Sequence, residues 1–130
     1  MANTFRSFSK ASIGTTPTTA YQLELDGNSG KTAILIGIAL SNTAETPINV
    51  DVQIDRPVTG DTEAPTENVY LVKNIPIPSG STLEIMAGQK QIMQIFDTDG
   101  NNTFVGDKIV ATSDTASSLD VIVNSLEITS

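Results

Sequence analysis

Apolar and polar side chains alternate strictly along residues 48–55. The apolar positions are Ile48, Val50, Val52 and Ile54, and the polar positions between them are Asn49, Asp51, Gln53 and Asp55. A period of two residues is that of a β-strand with one buried face and one solvated face. An amphipathic helix would instead repeat every 3.6 residues, and no useful length of this chain follows that period. The alternation therefore predicts a β-protein.

Seven other segments also predict strands, and most of the links between them are short and rich in turn-forming residues. In chain order the eight predicted strands cover residues 19–25, 31–41, 47–55, 68–73, 81–86, 91–97, 107–112 and 119–129. Eight strands joined mainly by short links predict a single antiparallel β-sandwich, either a jelly roll or immunoglobulin-like. The 130 residues are enough for one domain of this kind and not for two.

Two of these segments allow more specific predictions. Residues 31–41 are apolar on both faces, which predicts a central strand covered on both sides. The four side chains expected on one of its faces are Ile34, Ile36, Ile38 and Leu40. In residues 119–129 the apolar alternation changes phase after Val123, which predicts a β-bulge, or a bend between two sheets, at Asn124–Ser125. Tyr70 and Phe96 are expected in the core.

The N-terminal segment differs from the rest of the chain in charge. Residues 1–20 contain Arg6 and Lys10 and no acid, although the whole chain has a net charge of −8. Phe5 and Phe8 lie beside these two cations, and aromatic and arginine side chains are frequent anchors of protein interfaces. We therefore predict an extended arm, residues 1–17, in front of a domain that covers residues 18–130. The arm would bind a partner through those four side chains, or alternatively fold back on its own domain as an edge strand.

Composition limits the chemistry that is open to this chain. It contains no His, Cys or Trp, which removes imidazole and thiolate catalysis. Residues 30–32 (Gly-Lys-Thr) resemble the end of a phosphate-binding loop, but Leu25 stands where its first glycine is required. Residues 97–102 could bind a cation weakly, although a polar hairpin loop explains them better. We predict no catalytic residue, no metal site and no cofactor.

Charge and hydropathy argue against two further classes of partner. An acidic body does not suit a nucleic-acid backbone, which requires clustered Lys and Arg. The longest apolar run, residues 33–40, is too short to cross a bilayer, and residues 1–10 contain no apolar stretch of the kind found in secretory signals. We therefore expect neither a nucleic-acid partner nor a membrane partner.

The order of segments along the chain resembles that of small virion structural proteins of tailed bacteriophages, notably those of marine and cyanobacterial hosts. The likeness is carried by residues 1–8 (MANTFRSF), 13–21 (IGTTPTTAY), 32–42 (TAILIGIALSN), 48–52 (INVDV), 70–80 (YLVKNIPIPSG), 106–110 (GDKIV) and 120–129 (DVIVNSLEIT). It covers nearly the whole chain, and it contains no catalytic signature.

This resemblance implies a non-enzymatic β-sandwich that is present in many copies on the virion and is assembled in the host cytoplasm. A capsid decoration or cement protein is the first expectation, and a neck, tail or fibre-attachment protein is the alternative. Its partners would be other copies of itself, as a homo-oligomer, and other virion proteins. A module that binds carbohydrate or a host surface is less favoured, because the chain lacks the Trp residues that commonly stack on sugars.

Overall fold

The computed structural model describes residues 2–23, 31–56, 68–86, 91–97 and 104–129. Within these ranges the chain forms ten strands and no helix. The strands are β1 (Ala2–Ile13), β2 (Thr18–Gln22), β3 (Lys31–Asn42), β4 (Ile48–Asp55), β5 (Val69–Ile77), β6 (Thr82–Glu84), β7 (Gln91–Asp97), β8 (Phe104–Gly106), β9 (Lys108–Ser113) and β10 (Leu119–Thr129).

The strands form two antiparallel sheets that pack face to face, so the predicted all-β sandwich is confirmed. Sheet A has the order β1-β10-β3-β7-β8, with β6 also paired to β3, and sheet B has the order β2-β9-β4-β5. Apart from the three-residue strands β6 and β8, the orders β1-β10-β3-β7 and β2-β9-β4-β5 are those of a jelly roll, in which two Greek keys are folded together. The jelly roll is therefore the observed member of the predicted pair of architectures.

The core lies between the two sheets and is built from alternate residues of each strand. All four apolar side chains of β4 are buried, as the two-residue period predicts. Sheet A contributes Leu35, Ile38 and Leu40 from β3, together with Met93 from β7, and none of these is measurably exposed. Burial of one such aliphatic side chain stabilises the fold by about 1.5–3 kcal/mol.

A bulge interrupts the pairing of β3 with β10 at the predicted place. Asn124 pairs with Gly37 and Ser125 pairs with Leu35, so Ile36 is an extra residue on β3. Because of this extra residue, the buried positions on β3 change from odd numbers up to Leu35 to even numbers from Ile38 onward. The prediction that Ile34 and Ile36 share a face with Ile38 is therefore wrong.

The carboxylate of Glu84 closes this bulge from the neighbouring strand β6. Its Oε1 accepts hydrogen bonds from the backbone N–H groups of Ile38, at 2.9 Å, and Met86, at 2.8 Å. These bonds satisfy backbone donors where the strand pairing is disturbed. The bulge is therefore a supported part of sheet A.

Strand β10 itself keeps an unbroken two-residue period. Its buried residues are Leu119, Val121, Val123, Ser125 and Glu127. The apparent change of phase in the sequence arises because the last two of these inward positions carry polar side chains, whereas Leu126 and Ile128 point outward. The bulge was predicted at the right residues, but the reason was wrong, since the extra residue lies on β3.

The N-terminal segment is extended, as predicted, but it lies within the sandwich. Strand β1 forms the edge of sheet A and pairs with β10 from Ala2 to Lys10 without a register shift. It is also the first strand of the jelly-roll order, so the edge-strand alternative is the arrangement found. Tyr70 is half exposed on β5, which corrects its predicted place in the core, and the side chain of Phe96 lies outside the described part of the structure.

Candidate interaction surface

The two outer faces of the sandwich differ in chemistry. On sheet B the outward side chains of the central strand β4 are Asn49, Asp51, Gln53 and Asp55. Lys73 on β5 lies 3.6 Å from Asp51, and Lys108 on β9 is opposite Asp55, so this face is polar and carries charges of both signs. The outer face of sheet A is mainly apolar and uncharged. We had expected β3 to be covered on both sides, but Ile36 is 45% exposed on the outer side of this central strand. No described part of the chain covers this side.

Register aligns four apolar side chains across sheet A. Phe5 on β1 is opposite Leu126 on β10, which is opposite Ile34 on β3, which is opposite Ile92 on β7. We call these four residues the apolar row. The two ends of the row are the most open, since Phe5 is 77% exposed and Ile92 is 53% exposed. Its two central side chains are half-buried by their neighbours.

Uncharged residues surround the apolar row. The outward positions around it are Asn3, Ser7 and Ser9 on β1, Ile122, Asn124 and Ile128 on β10, Thr32, Ile36 and Ala39 on β3, and Gln94 on β7. Together with the row they form what we call the sheet A face. Two carboxylates at its border are already engaged, since Glu84 closes the bulge and Asp120 accepts a hydrogen bond from the backbone of Ser12 at 2.9 Å. A contiguous apolar surface of this kind is typical of a protein–protein contact.

The four side chains predicted to bind a partner are divided between two directions. Phe5 points outward at one end of the apolar row, and Lys10 is exposed. Arg6 and Phe8 instead contact their own domain. Arg6 forms an ion pair with Glu127, and the ring of Phe8 packs on that of Tyr21. These two contacts hold β1 against the domain. Partner binding by the four residues stays a prediction.

A buried polar cluster holds β1 against the rest of the sandwich. The phenol of Tyr21 on β2 donates a hydrogen bond of 2.7 Å to Glu127 on β10, and Ser125 donates one of 3.3 Å to the same phenol oxygen. Arg6 approaches the other carboxylate oxygen of Glu127 at 3.3 Å. The ring of Phe8 packs on that of Tyr21 with 4.5 Å between centroids. Burial, together with the neighbouring carboxylate, raises the pKa of Tyr21, so the phenol remains a proton donor at neutral pH.

Sequence reasoning missed this cluster. The signal that could have revealed it is the continued two-residue period of β10, which places Ser125 and Glu127 on the same side as Val121 and Val123. A buried carboxylate requires donors, and a buried tyrosine usually bonds through its hydroxyl. The separation of 106 residues between Tyr21 and Glu127 gives no local pattern to recognise.

A second buried carboxylate, Asp107, lies where the chain passes from sheet A to sheet B. Its Oδ2 accepts a hydrogen bond from the backbone of Gln94 at 3.0 Å and lies 3.9 Å from Arg56, whereas Oδ1 has no hydrogen-bond partner among the described residues. Its own backbone bonds to Gln94 and Leu23. Burial raises the pKa of Asp107, although the bond from Gln94 and the charge of Arg56 oppose this. These contacts give Asp107 a structural role, that of joining the two sheets.

The raised pKa of Asp107 predicts a pH dependence of stability. A carboxyl group whose pKa is higher in the folded than in the unfolded state contributes stability that is fully present below pH 3.8, its ordinary pKa, and is lost as pH rises through the folded-state value. Asp107→Asn does not titrate. Urea unfolding of both proteins from acid to neutral pH should therefore show the wild type losing stability relative to the variant. A difference that is constant, or that changes in the opposite direction, would contradict this assignment.

No group of His, Cys, Asp or Glu among the described residues is arranged to hold a metal ion. The candidate cation loop at residues 97–102 lies outside the described part of the chain, apart from the backbone of Asp97. The described residues contain no helix that is long and apolar enough to span a membrane.

Comparison of the chain with protein-family models, with curated proteins and with solved structures finds no match.

Proposed function

We propose that the chain is a non-enzymatic structural protein of a tailed-bacteriophage particle, held in that assembly by the sheet A face. Capsid decoration or cementing is the role that we place first, and a neck, tail or fibre-attachment role is second. The proposal depends on one structural observation above all, the apolar row on the outside of a sandwich whose other face is polar and charged. The particle as the setting comes from the resemblance of the sequence segments.

The architecture supports the proposal in a limited way. Jelly rolls are found in viral capsid proteins, and also in lectins and cupins. Because one fold serves many functions, the contact surface has to carry the argument. A row of exposed apolar side chains lowers the free energy of an assembly when a partner removes it from water, by about 25 cal/mol per Å².

The buried polar groups support the non-enzymatic part of the proposal. Tyr21 and Glu127 bond to each other inside the sandwich, and Asp107 bonds to the backbone of Gln94. Each therefore has a structural explanation, in which it joins strands. The chain also has no His or Cys to act as base or nucleophile.

Binding to particles tests the proposal. Mass spectrometry should detect the chain in purified particles of the virus whose genome encodes it, and the recombinant chain should bind to particles that lack it. Ile92→Asp should weaken this binding about tenfold or more, because about 1.4 kcal/mol is lost when a carboxylate enters an apolar contact, whether that contact is made with the particle or with another bound copy of the chain. The matched control is Val69→Asp, since Val69 is 49% exposed on β5 of the other sheet. Absence of the chain from particles, or equal weakening by both variants, would overturn the proposal.

A further inference from the structure

We infer that the partner on the sheet A face is a second copy of the same chain and that two copies stack these faces about a two-fold axis. This inference rests on the proposed use of the face as a contact surface and names its occupant. It is argued from the charge, the geometry and the area of the face.

The lack of charged side chains on the sheet A face favours a partner surface that is also uncharged. The chain carries a net charge of −8, yet none of the outward residues of the sheet A face is charged. A basic partner would be recognised through carboxylates, and among the described residues the two nearest to this face, Glu84 and Asp120, already accept backbone hydrogen bonds. Anionic membrane lipids would repel an acidic protein. The same face of a second copy is mainly apolar and uncharged, so two copies can meet there without bringing like charges into contact.

The order of the apolar row fits a two-fold arrangement. In such a symmetric contact each copy presents the same patch to the other. A two-fold axis along the strands, between Leu126 and Ile34, brings Phe5 of one copy onto Ile92 of the other. Phe5 and Ile92, the two most exposed members of the row, then contact each other at both ends of the row. In the centre, Leu126 of each copy contacts Ile34 of the other. Stacked sheets usually keep their strands within about 30° of each other, which this axis allows.

The area of the face predicts a weak dimer. Four strands spaced about 4.8 Å apart, and seven residues at about 3.4 Å each, give a face of about 450 Å². Two such faces bury about 900 Å² in total, which is below the roughly 1,200–2,000 Å² of stable specific interfaces. The free protein should therefore show a concentration-dependent equilibrium between monomer and dimer. Within a many-copy assembly, additional contacts would reinforce the pair.

Sedimentation equilibrium of the free protein tests this inference without any particle. From about 10 μM to about 1 mM, the range in which a weak contact forms, the average mass of the wild type should rise from that of a monomer towards twice that value. Ile92→Asp should stay monomeric throughout, because the symmetry places a new carboxylate against Phe5 at each end of the apolar row. Val69→Asp should behave as the wild type. Added salt should not weaken the dimer, because the contact contains no ion pair and screening reduces the repulsion between two acidic copies.

Fluorescence gives an independent reading of the same contact. The chain contains no Trp, so Phe5→Trp introduces a single tryptophan at the end of the apolar row. Its emission should move to shorter wavelength as the protein concentration rises. Addition of Ile92→Asp to this variant should abolish the change.

The outcomes separate the inference from the proposed function. A wild type that is monomeric at every concentration overturns the inference, whether or not the chain binds particles. A dimer that persists in Ile92→Asp also overturns it, and would indicate pairing through the free edge of β1, which lies three strands away from Ile92. A dimer that requires Ile92, in a chain that is absent from particles, would support the inference and overturn only the proposed function.

Discussion

Deletion of residues 2–10 should unfold the domain. These nine residues pair with β10 without interruption, and they supply the first strand of the jelly roll. Their removal takes Phe8 from the ring of Tyr21 and Arg6 from the carboxylate of Glu127, and it exposes the edge of β10. The expected cost is comparable to the whole stability of a small domain, about 5–15 kcal/mol.

Circular dichroism and urea unfolding measure this result directly. The truncated chain should lack a cooperative unfolding transition, and a synthetic peptide of residues 1–13 should restore one. The matched control is Phe5→Ser, which keeps the strand and changes a side chain that is largely exposed, so its stability should change by no more than about 0.5 kcal/mol. A truncated chain that unfolds at the same urea concentration as the wild type would show that the segment is an independent arm.

Removal of the hydroxyl group of Tyr21 should cost about 1.5–3 kcal/mol of unfolding free energy, the usual value of a hydrogen bond to a charged group. Tyr21→Phe keeps the ring against Phe8 and takes one donor from the buried carboxylate of Glu127. The chain has one other tyrosine, Tyr70, which is half exposed. Tyr70→Phe is therefore the matched control, and it should change stability by about 0.5 kcal/mol or less.

A double-mutant cycle with Glu127→Gln isolates the bond itself. Because Tyr21 and Glu127 are in direct contact, the two changes should not be additive, and the coupling energy should be about 1–3 kcal/mol. If Tyr21→Phe and Tyr70→Phe lowered the unfolding free energy equally, or if the effects in the cycle were additive, the conclusion that this buried polar cluster holds β1 against the sandwich would be contradicted.

The sequence predicted those parts of the fold that depend on local alternation. Strand β7 was predicted with its observed bounds, and all four inward residues of β4 were identified, because each pattern is complete within a few residues. The place of the bulge at Asn124–Ser125 was also predicted. Strand β8 was missed, since its three residues are too few to show a period.

The errors come from residues whose environment is set by distant parts of the chain. The change of phase inferred in residues 119–129 implied an outward Glu127. It is buried instead and bonds to Tyr21, which lies 106 positions away in the sequence. The composition of β1 left open whether its side chains contact another molecule or their own domain. Arg6 and Phe8 have contacts in the same domain, and partner binding stays a prediction. The apolar row was not predicted either, because the register of four strands is needed to align it.

The position of the domain in a reconstruction of the intact particle tests the central claim most directly. The account predicts that the sheet A face, with Phe5 and Ile92, packs against a neighbouring protein, and that a second copy of the chain lies there in a two-fold arrangement. The pair would meet the rest of the particle through its remaining surface. A particle in which the sheet A face is exposed to solvent would contradict this arrangement.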